Sequence, residues 1–151
     1  NNEYKLKNGK CAVCAITEYE LDKKIRIIDE SDNFAAYTPF ASRMSYEIDI
    51  AAKKNIKHYG DFSDEMIDEL ACMLKTMLKM VSGLRENICY NICFEDTPKD
   101  CDGHWFMRIL PRMGNPAGFE YGTNSYINPV LPETAAEYYR NILVKKNEVV
   151  K

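Results

Sequence analysis

The sequence predicts an α+β domain, a mainly antiparallel sheet with one long helix on one face and a short C-terminal helix. Three observations predict it. Residues 63–84 carry apolar side chains at three- and four-residue spacings, the mark of an amphipathic helix. Short runs alternate apolar and polar residues, as Tyr46, Ile48 and Ile50 do around Glu47 and Asp49. The connections between many of these runs are too short for the crossovers a parallel sheet requires. At 151 residues the chain is sized for one domain, with a core that needs no disulfide staples.

Each element has a local cause. Residues 1–10 are a polar lead-in or linker. Ile25–Asp29 reads as the first strand, and Ser31-Asp32-Asn33 as the turn after it. Phe34–Tyr37 is the second strand, ended by Pro39. Tyr46–Ile50 is the third, and a Lys-rich connector runs from it to His58. Ser63 is the N-cap of the long helix, with Asp64 and Glu65 at the positive end of its dipole. Ile67, Leu70, Ala71, Leu74, Met77, Leu78, Val81 and Leu84 form its apolar stripe, whose methionines read as core filling, and Gly83 ends it. Cys89–Phe94 is a strand, Thr97–Asp100 a loop, and His104–Leu110 the next strand, closed by Pro111. A Gly-, Asn- and Pro-rich segment covers 114–129. Pro132 and Glu133 open the short last helix, through Ala135, Ala136 and Tyr139. The domain proper spans 11–140, and no structure is assigned to the tail, 141–151.

Composition excludes some classes of function. Lys plus Arg is 20 against 23 Asp plus Glu, a net charge of −3, so no basic surplus points to nucleic acid. No apolar run approaches membrane-spanning length. The first residues are polar and carry no secretory leader. The six cysteines therefore read as thiols, some on metal, in a reducing cytoplasm.

The chain has two histidines, His58 and His104. With Cys11 and Cys14, a Cys-x-x-Cys pair, they would make a closed Cys2His2 zinc site, tetrahedral and structural. Cys-x-x-Cys commonly brings two thiolates to one ion from a tight turn. Spacing alone leaves two other readings open: a redox pair, or unrelated thiols and surface histidines. A thioredoxin-like pair would stand in a βαβ context, which the pattern lacks. If both histidines are ligands, none remains for acid, base or nucleophile work.

His104-Trp-Phe-Met-Arg-Ile-Leu-Pro-Arg112, Ala117-Gly-Phe-Glu-Tyr-Gly-Thr-Asn-Ser-Tyr-Ile-Asn-Pro129 and Leu131–Ala136 with Arg140 occur in this order. Upstream stand Gly9–Cys14, Arg26–Glu30, Phe34–Ala41 and the pair Tyr90-Asn91. Together, over roughly residues 9–140, these resemble the second half of galactose-1-phosphate uridylyltransferase-like enzymes of the histidine-triad superfamily. That family joins two such halves in one chain. In the catalytic half a histidine-x-histidine motif supplies a nucleophile, which a sugar nucleotide nucleotidylates and a sugar 1-phosphate then relieves. The first histidine of the motif is often a zinc ligand, alongside a Cys-x-x-Cys and an earlier histidine. The resemblance thus implies zinc on Cys11, Cys14, His58 and His104.

The departure is as informative. The nucleophile position, two beyond His104, is Phe106, and a phenyl ring cannot form a phosphoramidate. Arg108, the next inward position, would pair with a phosphate or with a nearby acid. The resemblance places Gly118, Phe119 and Glu120 near a sugar nucleotide, in some members across a dimer interface. Asn128 is expected to hold its own loop through backbone hydrogen bonds. The implied function is the zinc-binding, C-terminal-type half of a sugar-1-phosphate nucleotidylyltransferase of galactose metabolism. Its partners would be a sugar nucleotide or sugar phosphate and an N-terminal catalytic half or second subunit. The alternative is a free-standing degenerate histidine-triad module that binds a nucleotide, sugar phosphate or protein without catalysis. An independent hydrolase has little support, because no serine, cysteine or carboxylate stands in a catalytic spacing.

Overall fold

A computed structural model describes residues 2–97, 103–115 and 117–149. The expected loop residues 98–100, Asn1 of the lead-in and the last two residues of the tail lie outside the described residues.

The chain opens with helices α1 (Asn2–Asn8) and α2 (Ala12–Lys23). Strands β1 (Ile27–Glu30), β2 (Phe34–Tyr37) and β3 (Ile48–Ala52) follow, then a short 3-10 turn, Tyr59–Asp61. Next come α3 (Asp64–Ser82), β4 (Tyr90–Glu95), β5 (Phe106–Pro111), α4 (Gly118–Thr123) and α5 (Pro132–Val149). The strands form one sheet in the order β1-β2-β3-β5-β4. Every neighbouring pair is antiparallel. β5 returns from the β4 edge to lie beside β3, which makes it an interior strand.

Alternation along the strands sorts side chains onto two faces. Phe34, Ala36, Ile48, Ile50, Ala52, Trp105, Met107 and Ile109 face the main core with α3 and α5. Ile27, Ala35, Tyr37 and Ala51 line the opposite face, where Leu21 of α2 and Phe106 pack on them. Helices therefore meet both faces rather than one. An edge-on aromatic knot joins Phe62 and Trp105 at 5.0 Å and Phe34 and Phe62 at 5.4 Å between ring centroids.

The long helix forms as expected. The Ser63 hydroxyl accepts from the Met66 N–H at 3.3 Å, and Gly83 closes the C-terminus. Its buried stripe is rotated from the one expected: Met73, Met77, Met80 and Val81 are buried, whereas Ile67 and Ala71 are exposed. The unbranched methionines, not the leucines, fill the deepest gaps. α2 carries no apolar stripe that periodicity could reveal, since its buried residues are Thr17 and Glu20. α5 runs to Val149, well past Tyr139, because no glycine or proline interrupts it and Ile142 and Leu143 still touch the core. Tyr139 Oη donates to Tyr46 O at 2.9 Å, and Arg140 donates to Ile27 O at 2.7 Å, which moors α5 to the sheet. Among the described residues no helix is long and apolar enough to cross a membrane.

Met77 is wholly buried where α3 meets the sheet. Met77→Ala is expected to cost about 2–5 kcal/mol, read as a lower urea midpoint at unchanged slope.

Candidate functional site

The site follows from the alternation of residues 104–109. With Trp105, Met107 and Ile109 committed to the core, His104, Phe106 and Arg108 turn to the face that meets α2. Gly103 lets the chain enter: a Cβ there would stand 1.9 Å from Thr97 Oγ1.

Cys11, Cys14 and His104 converge, with their ligand atoms all within 4.8 Å of one another. Cys11 occupies the N-cap position of α2 and Cys14 its first turn, so a helix start rather than a tight turn presents both sulfurs. Residues three apart share a helix face. The His104 ring is buried and spans the site. Its Nε2 lies 2.6 Å from Ala52 O, and its Nδ1 lies 3.1 Å from Cys14 Sγ. The carbonyl accepts only, so Nε2 carries the proton and Nδ1 presents its lone pair to the sulfurs, the orientation a metal-binding imidazole needs. Burial holds the His104 pKa below its ordinary value, partly offset by the Ala52 bond, which keeps the ring neutral. Burial also pushes the Cys14 thiol up.

His58 is not brought to this set: no nitrogen of it comes within that distance of all three. Half-buried His58 stands just before the 3-10 turn, in a connector whose Ile56 O accepts from Trp105 N at 2.7 Å and whose Lys57 O accepts from Thr97 N at 3.2 Å. The side chain that does reach the cluster from this connector is Asn55, whose Nδ2 stands 2.8 Å from Cys14 Sγ.

Phe106 joins the apolar cluster on the α2 face. Arg108 is held by acids. Its Nε and NH2 donate to the two Asp49 oxygens at 2.8 and 3.0 Å, and Nε lies 2.9 Å from Glu47 Oε1. The guanidinium also stacks on Phe106, 5.1 Å from its centroid. Burial pushes the Asp49 and Glu47 carboxyls above their ordinary range despite the cation. Asp49 in turn drives the Arg108 pKa up. A second buried network lies beside it: Arg26 donates to Glu20 Oε1 at 2.7 Å and to Glu133 Oε1 at 2.7 Å. A cavity of about 600 Å3 opens between the two, lined by Tyr19, Arg26, Tyr37, Phe40, Phe106 and Arg108 among others.

Gly118, Phe119 and Glu120 are the first turn of α4, apart from both networks. Glu120 Oε2 accepts from Ala117 N at 2.9 Å, and that bond holds its carboxyl below the usual range. Glu120 also lines a cavity of about 340 Å3 with Arg43, Asn115 and Tyr126. Phe119 is 54% exposed. Asn128 Oδ1 accepts from Val130 N and from Ser45 Oγ, both at 3.0 Å, so it ties its loop to the segment before β3 as well as to itself.

No protein-family model matches the chain. ADP-glucose phosphorylase of Arabidopsis thaliana is 33% identical over 146 residues, which is 93% of this chain and 40% of that protein. Galactose-1-phosphate uridylyltransferase of Thermotoga maritima is 30% identical over 148 residues, 90% of this chain and 46% of that protein. Over about nine-tenths of its length the chain is similar to about half of these galactose-1-phosphate uridylyltransferase-like proteins. It spans less than half the length of these curated relatives. A crystal structure of an ADP-glucose phosphorylase from Arabidopsis thaliana with bound ADP-glucose matches at TM-score 0.81 and 33% identity, over 92% of this chain and 46% of that one. A Zn-bound histidine triad family protein from Mycobacterium smegmatis matches at TM-score 0.65 and 18% identity, over 93% of this chain and 97% of that one. The latter likeness shows the histidine-triad fold.

Sequence reasoning missed Asn55, Glu47 and Asp49. Nothing marks Asn55 in a Lys-rich connector. The period-two pattern did place Glu47 and Asp49 on the face away from the main core, but their burial beside Arg108 is a long-range matter that the pattern does not reveal. Arg108→Met is expected to cost about 3–5 kcal/mol at neutral pH, because it leaves two buried carboxylates without their cation. Their pKa values, already raised by burial, would rise further, so each acid is favourable to the fold while protonated. Part of the lost stability should therefore return as pH falls through the folded-state values, seen as a smaller gap to wild type in urea melts at acid pH.

Proposed function

We propose that this chain is the C-terminal-type half of a sugar-1-phosphate nucleotidylyltransferase, carrying a zinc ion and lacking the histidine nucleophile. The observation that carries the reading is the side chain two beyond His104. Phe106 offers no lone pair, and its ring is packed in the apolar cluster under α2. No covalent nucleotidyl intermediate can form there, so the nucleophile belongs to a catalytic half or a second subunit. The relatives are named for ADP-glucose and galactose 1-phosphate, which supports a sugar nucleotide or sugar phosphate as the ligand class.

The donor chemistry fits zinc: two sulfurs, and an imidazole whose proton is committed to Ala52 O, present their lone pairs to one point. Cys11, Cys14 and His104 would hold the ion. Once bound, it would cross-link the start of α2 to the entry of β5, a structural service rather than a chemical one. A reducing, cytoplasmic setting suits thiols kept as ligands, and Cys11, Cys14, Cys72, Cys89 and Cys93 are all outside disulfides.

The chain's own part in turnover would be recognition. Gly118, Phe119 and Glu120 stand on a protruding turn, with an ionised carboxylate able to accept from paired sugar hydroxyls. Such a turn suits a site completed by another half. Arg108 supports the ionic network on Asp49 and Glu47 in this reading, since a phosphate would have to compete with both. A free-standing module without catalysis is the weaker reading, because the similarity to two-half enzymes runs through nine-tenths of the chain.

Purified protein is expected to carry one equivalent of zinc by elemental analysis. A chelator should lower its Tm by roughly 5 °C or more, the response of a domain this size to about 2 kcal/mol. Incubated with ADP-glucose or UDP-glucose labelled in the sugar-distal phosphate, the chain alone should stay unlabelled. An acid-labile adduct on the wild-type chain would refute the assignment of Phe106.

A further inference from the structure

We propose that the Asn55 carboxamide, through its oxygen, is the fourth zinc ligand of this chain. The inference rests on the zinc reading above and names a residue that no spacing rule points to. Two of the three donors are buried: Cys11 is 5% and His104 3% exposed. Cys14 is only half-buried, and Asn55, itself exposed, stands against its sulfur. Two groups close on the Cys14 sulfur, the imidazole Nδ1 at 3.1 Å and the carboxamide at 2.8 Å. Zinc in a structural site takes four ligands in a tetrahedron, and His58 is not among the residues whose ligand atoms converge.

The carboxamide is set with its nitrogen toward sulfur. A half-turn about its terminal torsion exchanges nitrogen for oxygen in the same volume, and the two settings are told apart only by their partners. With thiolates and an ion present, the partner changes. The amide nitrogen has no lone pair to give, whereas the oxygen has two. A neutral oxygen donor leaves two thiolates to balance the divalent ion. It is also a poorer zinc donor than imidazole, so the solvent-side bond is the weakest of the four. The site would then hold its metal less tightly than a Cys2His2 site and exchange it from the Asn55 side.

The test uses the whole chain, with zinc content by elemental analysis, zinc affinity by competition with a chelating dye, and the visible spectrum of the Co2+-substituted protein. Far-ultraviolet circular dichroism confirms that each variant is folded. Asn55→Ala is expected to weaken zinc on the order of tenfold or more, the scale on which even outer partners of a zinc ligand act. Asn55→Asp should retain wild-type affinity or better, since it keeps an oxygen donor. Asn55→His should bind more tightly and move the Co2+ bands to shorter wavelength, as nitrogen replaces oxygen. His58→Ala should change neither affinity nor spectrum. Equal affinity in wild type and Asn55→Ala would overturn the inference and leave a water as fourth ligand. Asn55→Asp as weak as Asn55→Ala would overturn it in favour of a hydrogen bond to sulfur alone. Loss of metal in His58→Ala would overturn it in favour of the histidine. A wild-type chain that binds no zinc would sink the zinc reading together with the inference, whereas a zinc-bound chain indifferent to Asn55 sinks the inference only.

Discussion

β5 is an interior strand with apolar or ionic groups on both faces, and its register admits no slip. Shifting it by one residue would send His104, Phe106 and Arg108 into the methionine-rich core and bring Trp105, Met107 and Ile109 out under α2. A buried guanidinium facing Met77 and Met80 would have no acid to meet. The two commitments enforce one another: the core fixes the odd positions, and so the even ones must carry the site. Pairing with β3 and β4 on either side leaves the strand no edge along which to move.

The face beneath α2 is unusual in holding charge rather than hydrocarbon. Arg108 meets Asp49 and Glu47, and Arg26 meets Glu20 and Glu133, each acid drawn from a different element or strand position. Buried ion pairs contribute little net stability compared with well-packed apolar groups. They do fix orientation, because an unmatched charge is costly. Arg26 thereby locks α2 to the start of α5, and Arg108 locks β5 to β3. The cavity between these networks is bounded by aromatic rings on one side and charge on the other. Phe106 supplies a ring that the Arg108 guanidinium covers.

The Cys11, Cys14 and His104 cluster, which could hold a metal ion, shows how tertiary contacts gather residues far apart in the sequence. Cys11 and Cys14 are adjacent on α2 by helical geometry, and His104 joins them because β5 delivers it. Backbone bonds at Ile56 and Lys57 stitch the connector that carries Asn55 and His58 to the segments around Trp105 and Thr97.

The long helix, the five strands and the α+β class were legible in the sequence, because each depends on short-range periodicity: apolar groups every three or four residues, or every second one. The Cys-x-x-Cys pair and its neighbour His104 were legible as candidates, the pair as a fixed local offset. α2 was not, since its buried face is a threonine and a glutamate, which carry no hydrophobic signal. The burial of Glu47 and Asp49 and the contact of Asn55 with Cys14 were not legible either. These depend on which segments pair across dozens of residues, and that is settled only when the sheet closes and both of its faces are covered.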